Sequence, residues 1–470
     1  MNTTPEMNRR SFIRRSGTAA TAFAAPYFIP SGVLARDGKP GANDRIGIAV
    51  IGPGRQGGGL LGSAGNSPQA RIVAIADVNL PRAQQRAAKY KAAVYKDYRE
   101  LLERKDVDAV ITATPEHWRA LTCIHACQAG KDIYAEKPMT LTIHEGRLMV
   151  QAARKYERIF QCGSQQRSMV QNHVGCKLVR EGAIGKITKV IAFNYPSPWE
   201  CALPGQAVPD GLDWDLWCGP NEPVPYHPEL YTPRGKPGWL SFRPYSGGEM
   251  TGWGAHGFDQ IQWALGMDDS GPVEVWTEGE KFSPPTYAEA ESGDRGNKLC
   301  SSPKIFFRYA NGTLMELANG PHGGGVFIGE KGTITIDRAK CVSTPPELAS
   351  EALKKEIAAL NERAKTLKNA VGDPTAPASP LAPEASAGTA PAMGGGHMQN
   401  WFDCIRSRQK PIADVEIGHR SATVCHLGNI ARWTGLKLHW DPVKERFAEE
   451  EANKHLDRAR RKPYQLPSSI

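Results

Sequence analysis

Residues 45–61 read RIGIAVIGPGRQGGGLL, and the fold of the chain turns on this stretch. Ile46 to Ile51 holds only β-branched and small residues, the composition of a strand buried on both faces. It runs into Gly52-Pro53-Gly54-Arg55-Gln56-Gly57, a G-x-G-x-x-G turn. The three glycines answer three demands: Gly52 permits the tight turn, Gly54 lets backbone approach a pyrophosphate, and Gly57 lets helix pack closely on strand. Arg55 and Gln56 complete the turn, and the helix that follows aims its first N–H groups at the same phosphates. A second apolar strand, Arg71 to Ala76, ends at Asp77, twenty residues past Gly57, where a carboxylate takes the adenosine ribose hydroxyls. The stretch predicts a dinucleotide site. Asp77 favours NAD over NADP, although Arg82, five residues on, stands where it can accommodate a 2′-phosphate.

Ahead of it, Asn8-Arg9-Arg10-Ser11-Phe12-Ile13-Arg14 is a twin-arginine pattern, followed by a mildly apolar segment to Ile29 and the small-residue exit Val33-Leu34-Ala35. Residues 1–35 therefore read as a signal for export of a folded protein, placing it in the periplasm or cell envelope. The segment is too short, and too broken by Pro26 and Pro30, for a membrane span, so no integral anchor is expected. With 40% hydrophobic and 23% charged residues, the remaining chain has material for two domains. The net charge of +9 lies partly in the leader and partly in the stretch His455 to Lys462. Basic residues are not interleaved with aromatics in a stripe, which argues against nucleic acid as a partner. Ten cysteines include no CxxC pair, and they are expected as thiols of the core rather than disulfides or a zinc site. No metal is expected.

From Asp44 to about Ser164 strands alternate with helices, as in a doubly wound parallel sheet. Two of its strands deliver Ala113-Thr114-Pro115-Glu116-His117 and Glu136-Lys137-Pro138. Ligands of such sheets bind at the carboxyl ends of the strands, so Thr114, His117, Glu136 and Lys137 are expected around the nicotinamide end of the cofactor. Lys137, between a buried strand and a proline, is oriented, and partial burial tunes an amine toward a proton relay. His117 either touches cofactor or substrate, or caps or hydrogen-bonds its own loop.

The Gly52–Gly57 turn, Asp77, Thr114 to His117, Glu136-Lys137-Pro138, and Gly247-Gly248 leading to His256 and Asp259 together resemble the Gfo/Idh/MocA oxidoreductases, the glucose-fructose oxidoreductase and inositol dehydrogenase family. The twin-arginine leader and the stretches GLDWDLWCGP and GAHGFDQIQWALG resemble its exported, carbohydrate-associated branch. The resemblance implies an N-terminal Rossmann domain (residues 44–164) and an α+β C-terminal domain with a largely antiparallel open sheet (165–440). It also implies bound NAD or NADP. In the family the segment after Gly247-Gly248 carries an aspartate and, four residues later, a histidine. His256 matches the histidine, but the aspartate position is Gly252, which leaves Asp259, Glu249 or Glu136 to take over the carboxylate's role.

The second half fits that architecture on its own pattern. Lys186 to Tyr195 alternates as a half-buried strand, and hairpins are expected at Asn311-Gly312 and at Gly329 to Gly332. Gln166 and Arg167 leave the sixth strand toward the cleft, where they meet substrate or make interdomain contacts. Tyr195 and Asp259 are further candidates for substrate contact. Six of the 11 tryptophans fall between Trp199 and Trp263, either as a saccharide platform or as the packing of an irregular insert. Residues 344–396 read as a charged helix followed by a Pro-, Ala- and Gly-rich loop, 397–433 as helices packing back, and 441–470 as a tail. His419, His426 and His439 are expected to be structural.

The expected activity is oxidation or reduction of a hydroxyl on a sugar, sugar acid or cyclitol by hydride transfer, with Lys137 and His256 moving the proton. A tightly held cofactor and a homo-oligomer, dimer or tetramer, accompany it. Redox-neutral, NAD-dependent glycoside cleavage by oxidation, elimination and hydration is the alternative. A non-catalytic sugar-binding protein that retains NAD is a third.

Overall fold

The run Ile46–Ile51 is buried at every residue and forms strand β1, the centre of the first of two large sheets. The computed structural model describes residues 44–233, 238–288, 298–338, 340–370, 396–467 and 470. The leader, 1–35, and the low-complexity stretch Pro374 to Met393 lie outside the described residues. Strands β2 (Ala70–Ala76), β3 (Ala93–Tyr95), β4 (Ala109–Thr112), β5 (Asp132–Ala135) and β6 (Phe160–Cys162) join β1 in the order β3-β2-β1-β4-β5-β6. Every pairing is parallel. The strand order reverses between β1 and β4, so the crevice for a ligand opens at their carboxyl ends.

The second sheet begins with β7 (Ile187–Phe193). A small pair, β8 (Glu200–Cys201) with β10 (Thr286–Tyr287), lies apart from it. The sheet takes in β9 (Pro272–Glu278), β11 (Lys304–Tyr309), β12 (Leu314–Ala318), β13 (Gly325–Gly329), β14 (Gly332–Ile336), β15 (Cys341–Thr344), β16 (Leu438–Asp441) and β17 (Arg446–Phe447). Its order is β15-β14-β13-β7-β12-β11-β9-β16-β17, antiparallel except where β7 meets β12. Both expected hairpins form. Gly312 takes φ +88° at the first and Gly332 φ +155° at the second, backbone that L side chains rarely adopt. Helices Gly254–Ala264 and Val415–Thr434 lay Phe258, Ile261, Leu427 and Ile430 against Val275, Phe307 and Phe327 of this sheet, closing its core.

Trp401 and Phe402 of helix Gly396–Ser407 return to the first sheet and pack with Ile48 and Tyr134. All ten cysteines are thiols, and nine are buried. His426 Nε2 lies 3.2 Å from the Thr140 carbonyl, while His419 and His439 pair with Glu445 and Glu449. Within 441–470, expected as a tail, the stretch from Arg458 to Arg461 is instead fastened down. Arg458 and Arg460 reach the buried Glu145 at 3.1 and 2.8 Å, and Arg461 donates to the Gly219 carbonyl at 2.6 Å. The arginines there are counter-ions of Glu145, Asp457 and Asp215 and donors to the Gly219 and His117 carbonyls.

Candidate functional site

A cleft of about 730 Å³ runs along the carboxyl ends of β1, β2, β4 and β5. At one end is the glycine turn. Gly52 takes φ +75°, and Gly54 N closes on the Gly52 carbonyl at 2.8 Å. A Cβ on Gly57 would stand 2.2 Å from the Gly52 carbonyl oxygen, so the third glycine is required by the packing of helix Arg55–Gly65 on β1. In front of Gly54 the nearest atom is Arg82 Nη1 at 4.0 Å, which leaves the backbone open to a ligand. Among the described residues no side chain caps the helix N-terminus, and its first turn carries no acid. Those N–H groups suit the phosphates of a dinucleotide. Asp77, buried just after β2, takes Arg82 Nε and Nη2, each at 2.7 Å, and Asn79 N at 2.9 Å.

At the other end β5 delivers Glu136 and Lys137. Glu136 Oε1 accepts from Gln56 Nε2 at 2.9 Å and Gln165 Nε2 at 2.8 Å, which ties the glycine turn to the sixth-strand loop. Its other oxygen accepts Lys137 N at 3.0 Å. Arg119, buried, donates to the carbonyls of Thr114 and Pro138 and so locks the loops after β4 and β5 together. Lys137 Nζ crosses to the Gly252 carbonyl at 3.1 Å. At the position where the family aspartate was sought, the ammonium thus meets a peptide oxygen in place of a carboxylate. His256, 4% exposed, faces Arg338 Nη2 through Nε2 at 3.0 Å. A guanidinium can only donate, so that nitrogen accepts and the ring proton belongs on Nδ1. The Trp253 ring lies 5.6 Å from the imidazole and 5.0 Å from the Arg338 guanidinium.

Thr114, Arg55, Gln56, Asp77, Glu136, Lys137 and His256 all border the cleft. Gly57, packed against Gly52, lies outside its wall, and so do five further candidates. His117 Nε2 binds the Trp217 carbonyl at 2.8 Å, its ring rests against Trp217 and Tyr245, and burial pushes its pKa down to about 3. It serves its loop and the aromatic insert. Arg167 is sequestered between Asp259 at 2.9 Å and Asp268 at 2.7 Å, since a buried charge must be paired. That pairing removes Arg167 and Asp259 from substrate contact; Asp259 also accepts from Ser421 Oγ at 2.8 Å. Gln166 holds the Gly323 carbonyl at 2.6 Å, and the Tyr195 hydroxyl donates to the His322 carbonyl. Most of the insert's aromatics pack on one another, with Trp214 and Trp217 stacked at 4.4 Å. Trp217, Tyr231 and Trp239 reach the cleft.

Sequence reasoning missed Arg338, Arg119 and Glu116. Glu116 is fully buried and accepts from Ser246 Oγ at 2.6 Å, Gly247 N at 3.1 Å and Thr251 Oγ1 at 3.1 Å. Burial pushes its carboxyl up to about 7. It grips the segment that presents Gly252 to Lys137. Only its place in the Thr114 to His117 turn hinted at a role, and Arg338, beyond β14, belongs to no motif.

Two models of one family match the chain: the NAD-binding Rossmann fold over residues 46–164, and the C-terminal alpha/beta domain over 169–318 and 390–466. A 2,7-anhydro-N-acetylneuraminate hydratase of Mediterraneibacter gnavus is 31% identical over 155 residues, 33% of this chain and 40% of that protein. Glycosyl hydrolase family 109 protein 2 of Shewanella sp. (strain ANA-3) is 32% identical over 209 residues, 38% of this chain and 44% of that protein. The match thus spans less than half the length of these relatives. Among solved structures, aldose-aldose oxidoreductase from Caulobacter crescentus superposes with a TM-score of 0.55 at 16% identity, covering 84% of this chain and 99% of that one. By both family models and by its paired sheets, this chain belongs to the Gfo/Idh/MocA oxidoreductase family.

Proposed function

We propose that the protein is an NAD(P)-dependent oxidoreductase acting on a hydroxyl of a sugar, sugar acid or cyclitol, with a tightly held cofactor. One observation carries this reading: Lys137 and His256 border the same cleft as the Gly52 to Gln56 turn. NAD, when bound, supplies a hydride acceptor at its nicotinamide. Gly52, Gly54 and the N-terminus of helix Arg55–Gly65 would hold its phosphates, and Asp77 its adenosine ribose. Lys137 Nζ, oriented by the Gly252 carbonyl, would take the substrate hydroxyl proton in its neutral amine form and become the ammonium. His256 would pass that proton on or hold the hydroxyl at Nε2 only when Arg338 Nη2, which occupies that lone pair here, turns away from it.

Asp77 supports NAD over NADP, because its carboxylate repels a 2′-phosphate and already engages Arg82. Slow cofactor release is supported by the insert, which closes on the edge of the cleft beyond β2. Leu80 N donates to the Gly211 carbonyl at 3.0 Å, Asp213 N to the Val78 carbonyl at 2.9 Å, and Asn79 Nδ2 to Tyr231 at 3.1 Å. Lys96 pairs with Asp213 at 2.9 Å across the same seam. A resident cofactor suits export in the folded state to the periplasm through the leader at 1–35. No described helix is long and apolar enough to cross a membrane. The half-exposed face of β7 and β11 suits a homo-oligomer.

Redox-neutral glycoside cleavage is the second reading. It is favoured by a peptide oxygen at Gly252 in the family's carboxylate position and by the hydratase and glycosyl hydrolase relatives. Both readings are tested by incubating the purified protein with glycosides and free sugars and no added cofactor. Accumulated NADH supports oxidoreduction, aglycone release without NADH supports cleavage, and neither product with NAD still bound leaves a sugar-binding role. Lys137→Ala abolishes either chemistry while retaining NAD; normal turnover in that variant removes Lys137 from the mechanism.

A further inference from the structure

We propose that the insert of the C-terminal domain completes the adenosine half of the cofactor site: Leu216 closes an apolar recess for the adenine, and Tyr231 covers the ribose and diphosphate. The dinucleotide then leaves only when the insert parts from residues 78–80. The proposal rests on the cleft being a dinucleotide site, as above, and names the residues that retain the cofactor there.

Val78 follows Asp77 in the chain, and with Tyr98, Trp118 and Leu216 it borders the cleft. The Tyr98 and Trp118 rings meet edge to face at 5.7 Å, and both belong with Leu216 to one apolar cluster against which Val78 packs. Aromatic and aliphatic walls of this kind suit the flat face of a purine. Three of these residues come from the first domain, but Leu216 belongs to the insert, on helix Trp214–Cys218. It is held in place from both ends of its peptide: its carbonyl accepts Trp118 Nε1 at 2.9 Å, and its N–H donates to Asp213 Oδ1 at 2.9 Å.

Tyr231 lines the polar side of the same half. Its hydroxyl accepts from Asn79 Nδ2 at 3.1 Å, the Arg82 guanidinium lies over its ring at 5.5 Å, and the Trp217 ring meets it at 6.1 Å. Arg82 is also the side chain that Asp77 holds and that stands 4.0 Å from a Cβ on Gly54. Through Arg82, Tyr231 adjoins both the carboxylate suited to the ribose and the turn suited to the phosphates. The backbone fixes this wall. Asn79 and Leu212 form an antiparallel bridge, and Gly211, at φ +78°, sits so close to the next helix that a Cβ would stand 2.7 Å from Pro81 Cδ. Beyond helix Trp214–Cys218, Arg461 donates to Asp215 Oδ1 at 2.8 Å and to the Gly219 carbonyl at 2.6 Å. Parting the insert from residues 78–80 breaks two backbone hydrogen bonds, the Asn79–Tyr231 bond and the Lys96–Asp213 pair together, and opening that costs several bonds at once is rare.

The test follows cofactor exchange from the full-length protein. Protein carrying NAD is mixed with an excess of isotope-labelled NAD, and the isotope ratio of the bound nucleotide is read over time by mass spectrometry. ADP-ribose, which lacks the nicotinamide, is loaded and chased with labelled ADP-ribose in the same way. In the wild type both survive passage through a desalting column and exchange at similar rates, because the retaining residues face the half that the two share. Tyr231→Ala and Leu216→Ala each speed both exchanges by about tenfold or more, as loss of a ring or side chain packed on a nucleotide requires. Tyr231→Phe, which keeps the ring and drops the bond to Asn79, falls between. Fast release of ADP-ribose beside slow release of NAD overturns the proposal and moves retention to the nicotinamide end; this comparison needs no variant, so it decides even where a variant does not fold. Unchanged exchange in both alanine variants overturns it as well. Wild-type NAD lost on the desalting column refutes retention and the proposal together but leaves the dinucleotide site, whereas a protein that takes up no NAD removes the site itself. Slow, Tyr231-dependent release from a protein that yields neither NADH nor aglycone refutes the catalytic reading and leaves the adenosine wall standing.

Discussion

Replacing Glu116 by glutamine tests whether a buried carboxyl holds the two halves of the site together. Glu116 opens the helix Glu116–Gln128 of the first domain and receives Ser246, Gly247 and Thr251 of the second. Burial raises its pKa from the ordinary 4.5 to about 7 despite those three donors and nearby Arg119. Below pH 4.5 the group is protonated in folded and unfolded chains alike, and it costs nothing. Between 4.5 and about 7 the unfolded chain has ionised while the folded one keeps its proton, so the folded state loses ground as pH rises. The displacement from 4.5 to about 7 is worth about 3 kcal/mol, at about 1.4 kcal/mol for each pH unit. Glutamine has the same shape and does not titrate. The stability of wild type minus that of Glu116→Gln should therefore fall by about 3 kcal/mol between about pH 4.5 and about pH 8. Urea unfolding followed by tryptophan fluorescence, run on both proteins across that range, reads the difference and cancels the titration of other groups. A difference that stays constant to within about 0.5 kcal/mol, the ordinary scatter of surface substitutions, would refute a buried, titrating Glu116.

The glycine turn allows a contrast between neighbours. Gly57→Ala drives a Cβ to 2.2 Å from the Gly52 carbonyl oxygen and should destabilise the fold by about 1–3 kcal/mol, read as a lowered unfolding midpoint. Gly54→Ala meets only Arg82 Nη1 at 4.0 Å, so its unfolding midpoint should stay in place while the NAD recovered from purified protein falls. Asp77→Ala frees Arg82 for a 2′-phosphate; the ratio of NADP to NAD affinity should rise about tenfold, or about 1.4 kcal/mol, in competitive binding, and an unchanged ratio removes Asp77 from cofactor choice.

Neighbouring residues were enough to specify the parallel sheet, the glycine turn, Asp77, the Glu136-Lys137 strand end and both hairpins. Hydrophobic periodicity, glycines at special φ and strand-end polarity are local properties, so they can be read one segment at a time. The tertiary structure decided what no segment contains. Lys137 meets Gly252 across 115 positions, Glu116 meets Ser246 across 130, and Arg338 meets His256 across 82. Arg167 and Asp259, each a plausible substrate ligand in its own stretch, cancel one another across 92 positions, because burial forces opposite charges to pair. His117 turned from the cofactor to the Trp217 carbonyl across 100 positions for a similar reason: a buried imidazole must satisfy its nitrogen. The sequence determined which residues were chemically able to act. Only packing decided which of them face the cleft, because pairing and desolvation depend on neighbours brought together by the fold.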